Sequence, residues 1–293
     1  MKNQLSIFEN NSRKKENNRV VNVASVPQRS PFRFPGGKTW LVPTVRAWIK
    51  QSQQTPEKFC EPFAGGGIVS LTMAFENLAK KITMGELDDE IASVWDVLIN
   101  RDFNSLADKI YHFELTPENA NMILKKENKS AEERAFATII KNRISHGGII
   151  TKGSGLIKNG ENGKGIKSRW YPTTLRKRIL AIESVRDKIE FIHGDAFDIL
   201  RDKKDDPHTY FFLDPPYTKA GKRLYTHFDI DHEKLFFLAS CLKGKFMLTY
   251  DDTDEIRKLT DKYNLEYKTI PMKTTHHIKK QELIISDNFE WWS

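Results

Sequence analysis

The sequence predicts an α/β fold in which a doubly wound, mostly parallel sheet is interrupted by a helical, basic insertion. Strand-like apolar segments alternate with helical segments toward both ends of the chain, which is typical of a parallel sheet covered by helices. Between about residues 101 and 185 the strand signals stop. Residues 141–188 hold twelve basic and three acidic side chains, an excess of nine positive charges.

The composition fits such a domain and points to an anionic partner. The chain has 293 residues, 39% of them hydrophobic, and a net charge of +8. Its two cysteines, Cys60 and Cys241, exclude a disulfide framework and offer no metal-binding pair, so a reducing cytoplasm is expected. Neither a membrane-spanning apolar run nor a signal-peptide core is present, so we expect no contact with a membrane.

Local patterns predict each element of the core, which we place at residues 31–100 and 186–293. Residues 1–30 are polar and Asn-rich, which predicts a disordered arm. The core is expected to begin with strand "KFCEPF", turn "AGGG", helix "IVSLTMAFENLA", strand "KITMGEL" and a helix from Asp89 to about Leu98. Strands return at "IEFIHGD", "TYFFLDPP", "KFMLTYDD", "LEYKTIPM" and "QELIISD".

The insertion, residues 101–185, is predicted to contain three helices followed by a basic loop. Helical spacing occurs in "SLADKIYHFEL", "TPENANMILKKE" and "SAEERAFATIIKNRI". The loop "HGGIITKGSGLIKNGENGKGIKSRWYP" is rich in Gly and Asn, so we expect little core in it and a mobile chain. Its basic side chains could meet a phosphate backbone, although a charge run is more often a solvated face.

The stretch "FRFPGGKTW", residues 32–40, ends like the phosphate-binding loop of an ATPase or GTPase. That loop needs a glycine five residues before Gly37, and Phe32 stands there. Pro-Gly is also an ordinary turn signal ahead of a helix. The nucleoside-triphosphate interpretation is therefore disfavoured, and this pattern alone leaves the role of Lys38 open.

Two segments predict a ligand site where strands end. Glycines in "EPFAGGG" let backbone N–H groups approach a ligand at a strand-to-helix turn, although such a turn can also serve packing alone. In "MGELDD" a carboxylate at the end of the next strand is placed to accept ribose hydroxyls. Glu86 is the first candidate and Asp88 the second. The alternative is a solvated carboxylate at a helix N-terminus.

The sharpest motif is "FFLDPPY", in which an apolar strand leads into Asp214, two prolines and Tyr217. Prolines and Asp are ordinary turn residues. Asp-Pro-Pro-Tyr is nevertheless a rare tetrapeptide, and the preceding strand places Asp214 at the same edge of the sheet as the Gly-rich turn. A chance occurrence is therefore disfavoured.

"FRFPGGK", "EPFAGGG", "GELDDE", "GDAF" and "DPPY", in this order, resemble the motifs of the Dam-like (D12-type, α-class) DNA adenine-N6 methyltransferases. The resemblance runs from about Pro31 to the end of the chain and is carried mostly by "PGGK" and "DPPY". It implies a Rossmann-like class I methyltransferase sheet and S-adenosylmethionine as cofactor. It also implies a target-recognition insertion between the Gly-rich turn and the catalytic motif, where residues 101–185 lie.

The resemblance further implies roles for individual residues. S-adenosylmethionine would be held by Phe34, Gly37, Lys38, Glu61, Phe63, Ala64, Gly65, Gly66, Gly67, Glu86, Asp195, Ala196 and Phe197. The catalytic set would be Asp214, Pro215, Pro216 and Tyr217. Adenine N6 would donate hydrogen bonds to the Asp214 carboxylate and the Pro215 carbonyl, and Tyr217 would stack on the base once it has left the duplex. No metal is implied.

Double-stranded DNA is the expected partner, contacted by the insertion. Arg143 and His146 are candidates for base contacts, and phosphate contacts are expected from Lys152, Lys158, Lys164, Lys167 and Arg169. The family's Asn-Arg pair is present as Asn142-Arg143, but "ISHGGI" follows it and "TYDD" stands for a later Asn-x-Asp. No recognition sequence is therefore predicted.

The resemblance also sets expectations for the cellular context. We expect a monomer or weak dimer that is cytoplasmic and nucleoid-associated, encoded by a bacterium or a phage. A cognate restriction nuclease is a candidate partner.

Other functions remain open at this point. Methylation of cytosine C5 is disfavoured because both cysteines lie in apolar, strand-like settings. N4-cytosine relatives tend to carry Ser, and glutamine-modifying relatives Asn, at the position of Asp214. An RNA adenine methyltransferase would share the basic loop and the tetrapeptide, and a non-catalytic DNA-binding relative would keep only the fold. His276 and His277 are adjacent on a predicted strand and would point to opposite faces, which argues against a metal pair.

Overall fold

A seven-stranded sheet lies at the centre of the computed structural model, which describes residues 25–51, 55–151, 154–160, 163–218, 225–273 and 279–292. The strands are β1 Lys58–Glu61, β2 Lys81–Glu86, β3 Ile189–His193, β4 Thr209–Leu213, β5 Phe246–Asp251, β6 Glu266–Lys273 and β7 Lys279–Ser286. They lie in the order β3-β2-β1-β4-β5-β7-β6. β1 to β5 pair in parallel, and β7 runs antiparallel to both of its neighbours. The predicted Rossmann-like, mostly parallel sheet is confirmed.

Ten α-helices are present among the described residues. They are α1 Val42–Gln51, α2 Ile68–Phe75, α3 Asp89–Asn100, α4 Phe103–His112, α5 Pro117–Lys125, α6 Ala131–Ile144, α7 Pro172–Ile182, α8 Ala196–Lys203, α9 His232–Ser240 and α10 Asp254–Lys262. The helical patterns read from the sequence correspond to α1 to α6. The sequence patterns did not single out α7 to α10, because the capping residues and apolar faces of these helices occupy only short stretches of sequence.

The central strands are buried on both faces, as β4 shows. Tyr210 and Phe212 belong to one hydrophobic cluster, whereas Phe211 and Leu213 belong to the other. Successive side chains of a strand point to opposite faces, so a strand covered by helices on both sides must be apolar throughout. This is why "TYFFL" is continuous rather than alternating.

The helices of the insertion are part of the same hydrophobic core as one face of the sheet. α6 packs along α3, and α7 packs along α4. Phe136 and Ile139 of α6 and Ile179 of α7 are fully or almost fully buried in the cluster that also holds Trp95 of α3. The insertion is therefore packed against the sheet as part of the same core.

Residues 25–30, which the sequence patterns placed in a disordered arm, pack against α2. Val26 is buried, and Arg29 forms an ion pair with Glu76 at 3.0 Å while lying 4.5 Å from the centre of the Phe75 ring. Ser30 Oγ donates a hydrogen bond to the carbonyl of Gly66. The core therefore begins before residue 31, and residues 1–24 lie outside the described residues.

The basic loop contributes more to the core than its composition predicted. Ile150 and Ile157 are buried, and Ser145 pairs with Leu156 in an isolated antiparallel bridge. A Cβ atom on Gly148 would lie 2.0 Å from the carbonyl oxygen of Arg33, so only glycine allows this approach. Lys152, His276 and His277 lie outside the part of the chain that the structure describes.

Candidate active site

The carboxyl ends of the parallel strands open into a cavity of about 860 Å³, within the range of small-molecule sites. All thirteen residues that the resemblance assigned to the cofactor line this cavity, as do Asp214 and Pro216. Pro215 and Tyr217 are not among its lining residues. The fold thus brings motifs from five separate parts of the chain to one place.

The Gly-rich turn after β1 is held by the neighbouring strand and by the N-terminal segment. Ala64 N–H donates to the carbonyl of Gly85 at 2.8 Å. The Phe34 ring lies against the turn, and a Cβ atom on Gly66 would meet the Cβ of Phe34 at 2.7 Å. The Phe34 side chain can lie here only because residue 66 has no Cβ atom, which explains why "FRFPGGK" and "AGGG" occur together.

Glu86, at the end of β2, fastens the turn from its other side. One carboxylate oxygen accepts the Gly65 N–H at 2.9 Å, and the other accepts the Leu87 and Asp88 N–H groups at 2.9 Å. Burial raises the pKa of Glu86 to about 7, because it outweighs these three hydrogen bonds. The second candidate, Asp88, caps α3 by accepting the N–H groups of Glu90 and Ile91.

Glu61, the last residue of β1, is buried at the base of the turn. Its carboxylate accepts hydrogen bonds from the backbone N–H and the hydroxyl of Ser70 in α2. Burial raises the pKa of Glu61 to about 8 despite these two donors. These two hydrogen bonds tie β1 to the first turn of α2.

Asp195 begins α8 in the same way that Asp88 begins α3. One of its carboxylate oxygens accepts the Phe197 N–H at 2.8 Å. Ala196 and Phe197 are buried, and all three residues line the cavity. "GDAF" therefore combines a helix cap with an aromatic surface facing the ligand space.

Asp214 is held by two donors on a single oxygen. Lys38 Nζ lies 2.7 Å from Oδ1, and Thr249 Oγ1 of β5 donates to the same atom at 2.7 Å. Oδ2 has no hydrogen-bond partner among the described residues. Burial would lower the pKa of Lys38, but the carboxylates of Asp214 and Glu282 outweigh it and raise that pKa above the ordinary value, so the lysine is a cation. Lys38 lines the cavity and pairs with the catalytic-motif carboxylate.

Tyr217 contacts Glu282 and Tyr250 and is not among the residues that line the cavity. Its hydroxyl donates to Glu282 at 2.9 Å, and its ring stacks on Tyr250 with centroids 5.6 Å apart. Lys38 Nζ lies 4.8 Å from the Tyr217 ring centre. Stacking of this ring on adenine stays a prediction.

Three site residues were missed by reasoning from the sequence. Thr249 and Glu282 contact the Asp214 group, and Tyr225 stacks on Phe34 with centroids 5.9 Å apart while its hydroxyl donates to Pro35. Glu282 did carry a signal, because it is the one acidic residue inside the apolar run "ELIIS". Thr249 and Tyr225 carried none, since both depend on contacts across the fold.

A second part of the cavity lining is basic. Arg143 of α6, predicted to contact bases, is only 4% exposed and donates to the carbonyl of Pro31. Arg178 of α7 donates to the carbonyl of Ser30 at 3.0 Å. Burial, followed by repulsion from Arg178 and Arg33, lowers the pKa of Arg143 to about 9. We call Arg33, Arg143 and Arg178 the arginine wall.

Of the other predicted DNA-binding residues that the structure describes, Arg169 is half-buried and lines the cavity. His146, Lys158, Lys164 and Lys167 are exposed and are not among the lining residues. Their contacts with DNA stay predictions.

Two further features were searched for within the described residues. No group of three or more His, Cys, Asp or Glu side chains is placed to hold a metal ion. None of the helices there has the length and apolar character needed to cross a membrane.

Comparison with known proteins gives one strong match. The sequence matches the family of D12 class N6 adenine-specific DNA methyltransferases over residues 34–278. The comparison with curated proteins found no match.

Matches to solved structures are weak. The rRNA methyltransferase aviRa from Streptomyces viridochromogenes is 12% identical, with a TM-score of 0.37 over 86% of this chain and 85% of that chain. The precorrin 8W decarboxylase of Methanobacterium thermoautotrophicum is 9% identical, with a TM-score of 0.36 over 87% and 93%. These likenesses carry no argument about function.

Proposed function

The chain belongs to the D12 class N6 adenine-specific DNA methyltransferase family, and on that premise we propose that it methylates N6 of an adenine flipped out of duplex DNA, using S-adenosylmethionine. It is a methyltransferase by its family. The observation that best supports adenine as the substrate is the Asp214 carboxylate. One of its oxygens is held by Lys38 and Thr249, and the other has no partner among the described residues of the cavity.

The residues of the sheet edge fit S-adenosylmethionine. The Oε2 atom of Glu86 accepts one N–H and retains a lone pair for a ribose hydroxyl. Asp195 offers a second carboxylate oxygen and Phe197 an apolar ring for the adenine part, while Glu61 and the Gly-rich turn lie where the methionine part would be held. When bound, S-adenosylmethionine supplies a reactive methyl group on a sulfonium centre.

Asp214 makes N6 of adenine a better nucleophile. The N6 lone pair is delocalised into the ring, so the amine is planar and unreactive. A hydrogen bond from N6–H to Oδ2 of Asp214, with a second to the Pro215 carbonyl, draws the nitrogen toward tetrahedral geometry and frees its lone pair. The methylated nitrogen then carries one proton too many, which it loses to solvent.

Lys38 and Thr249 act on Asp214 and not on the substrate. Two donors on Oδ1 fix the rotation of the carboxylate, so that Oδ2 is presented to the cavity in one orientation. The Lys38 cation also lies 2.7 Å from Oδ1, so the carboxylate has an opposite charge beside it in a partly buried setting. Displacement at a methyl group depends on alignment, so a carboxylate held in one orientation contributes directly to the rate.

The test is methyl transfer from labelled S-adenosylmethionine to unmethylated genomic DNA, with structured RNA as a parallel substrate. Digestion to nucleosides identifies the modified base, and sequencing maps the sites. We expect N6-methyladenine in DNA at one recurring short sequence. Label in N4-methylcytosine would overturn the base, and label only in RNA would overturn the substrate.

A further inference from the structure

We infer that the arginine wall is a built site for one phosphodiester of the DNA backbone, the one attached to the flipped adenosine. This inference rests on the proposed function and adds a subsite to it. The site lies inside the cavity and is distinct from the exposed lysines of the basic loop.

Arg143 is a buried cation whose hydrogen bonds are incomplete. One guanidinium nitrogen donates to the Pro31 carbonyl, while Nε is buried and has no acceptor among the described residues. A buried donor without a partner loses its hydrogen bonds to water without replacing them, and the loss is larger when the group is charged. Such a group is expected where a ligand supplies the missing acceptor.

The neighbours of Arg143 increase this cost instead of relieving it. Arg178 and Arg33 both lower the pKa of Arg143, after burial. No Asp or Glu among the described residues forms an ion pair with Arg143 or Arg178. Other buried or half-buried cations do have such partners, since Lys38 pairs with Asp214, and Arg46 with Glu76. Arg143 and Arg178 therefore form the part of the cavity that lacks its counter-charge.

The wall is held firmly, which makes it a site and not a flexible patch. Asn142 accepts the Arg33 N–H at 2.9 Å and donates back to the Arg33 carbonyl at 2.9 Å. Arg178 donates to the Ser30 carbonyl at 3.0 Å, and Arg143 to that of Pro31. These bonds fix the guanidinium groups of Arg143 and Arg178 and the backbone of Arg33 before any ligand arrives.

A phosphodiester suits the site better than the carboxylate of S-adenosylmethionine. The wall is built by α6, α7 and the segment before Phe34, whereas Glu61 and the Gly-rich turn lie at the sheet edge. A nucleoside flipped into the cavity brings its own phosphate with it. Guanidinium groups match phosphate oxygens in charge and in forked geometry.

The test combines protein variants with chemically altered DNA. Duplexes containing the mapped site carry one neutral methylphosphonate at each phosphate near the target adenine in turn. Their affinities for wild type and Arg143→Gln are measured by fluorescence anisotropy. We expect one methylphosphonate position to weaken binding by wild type by roughly 10–100-fold, and to have little further effect on the variant.

Arg176→Gln is the matched control. Arg176 lies on the same helix as Arg178 and pairs with Asp108 at 2.9 Å, with 41% of its side chain exposed. It should show the same methylphosphonate profile as wild type. The inference can still be tested if Arg143→Gln folds poorly. The methylphosphonate duplexes can be measured on wild type alone, and Arg178→Gln allows the same comparison of variant with wild type.

Two outcomes would overturn the inference. In the first, no methylphosphonate near the adenine affects wild type more than the variants. In the second, Arg143→Gln weakens S-adenosylmethionine binding in calorimetry and leaves DNA affinity unchanged, which would assign the wall to the cofactor carboxylate. Either result in a protein that methylates the unmodified duplex leaves the proposed function intact.

Discussion

Two parts of the cavity lining stabilise their buried polar and charged groups in different ways. At the sheet edge, Glu61, Glu86 and Asp214 each accept hydrogen bonds from backbone groups, a hydroxyl or a lysine. On the arginine wall, Arg143 and Arg178 donate only to carbonyls among the described residues. Each carboxylate at the sheet edge has at least one donor before a ligand binds, whereas the wall has no acidic partner among the described residues and is completed by an anion. Variants at the sheet edge should therefore affect catalysis or cofactor binding, and variants on the basic side should affect DNA binding.

The largest expected effect is that of Asp214→Ala. Removing the carboxylate should lower kcat roughly 10³-fold, within the range for loss of a positioned polar group. Binding of S-adenosylmethionine, measured by calorimetry, should be little changed. Asp198→Ala, on the exposed part of α8 where Asp198 pairs with Arg201, is the control and should be fully active. Normal turnover in Asp214→Ala would refute the role given to this residue.

Lys38→Met separates two roles for the lysine. If Lys38 orients Asp214, single-turnover rates at saturating cofactor should fall by roughly 10–100-fold, the equivalent of one charged hydrogen bond. If it holds the cofactor, as the resemblance implied, the Kd for S-adenosylmethionine should rise while the saturated rate stays unchanged. Thermal unfolding should be recorded as well, since the variant leaves Asp214 and Glu282 without their cation.

Gly66→Ala tests the rigidity of the sheet edge. The added Cβ would lie 2.7 Å from Cβ of Phe34, so the variant should lose about 1–3 kcal/mol of stability, as other overpacked sites do. It should also bind S-adenosylmethionine more weakly, because Phe34 must move. At Gly155 the nearest atom would be 3.6 Å away, so Gly155→Ala should unfold like wild type in the same denaturant titration.

Cofactor binding should depend on pH through Glu86, whose pKa burial raises to about 7. Only the carboxylate can accept from both ribose hydroxyls and backbone N–H groups. Affinity should therefore rise as the pH is raised through about 7 and be lost as the pH falls below it. Calorimetry across this interval should show the dependence in wild type and a flatter profile in Glu86→Gln. An identical profile in the two proteins would assign the titration to another group.

The smallest effect is expected from the lysines of the basic loop. Neutralising Lys164 and Lys167 together should weaken DNA binding and reduce its salt slope by up to about one for each phosphate that is no longer bound. The effect should be similar for all DNA sequences, unlike that of Arg143→Gln. An unchanged slope would mean that these lysines are only solvated.

Much of the sheet-edge side could be predicted because its signals are local. In an α/β sheet, a buried parallel strand followed by a glycine turn or a carboxylate predicts a ligand site at the carboxyl ends of the strands. Strands β1, β2 and β4 each end in such a motif. The predictions for the basic side were poorer. Polar sequence neighbours did not prevent burial of Val26, Ile150 and Ile157. Apolar surfaces from distant parts of the chain cover these side chains.

The sequence by itself determined the order of the strands and of the first six helices along the chain, the family, and the motif residues that share one edge of the sheet. These follow from short-range periodicity and from motifs whose geometry is set within a few residues. Only the tertiary structure decided that Lys38 pairs with Asp214, that Thr249 and Glu282 complete that group, and that Arg143 is buried in a cavity wall. Each of these depends on contacts between residues far apart in the chain. How deeply such a residue is buried, and which charges surround it, are set only when the chain folds.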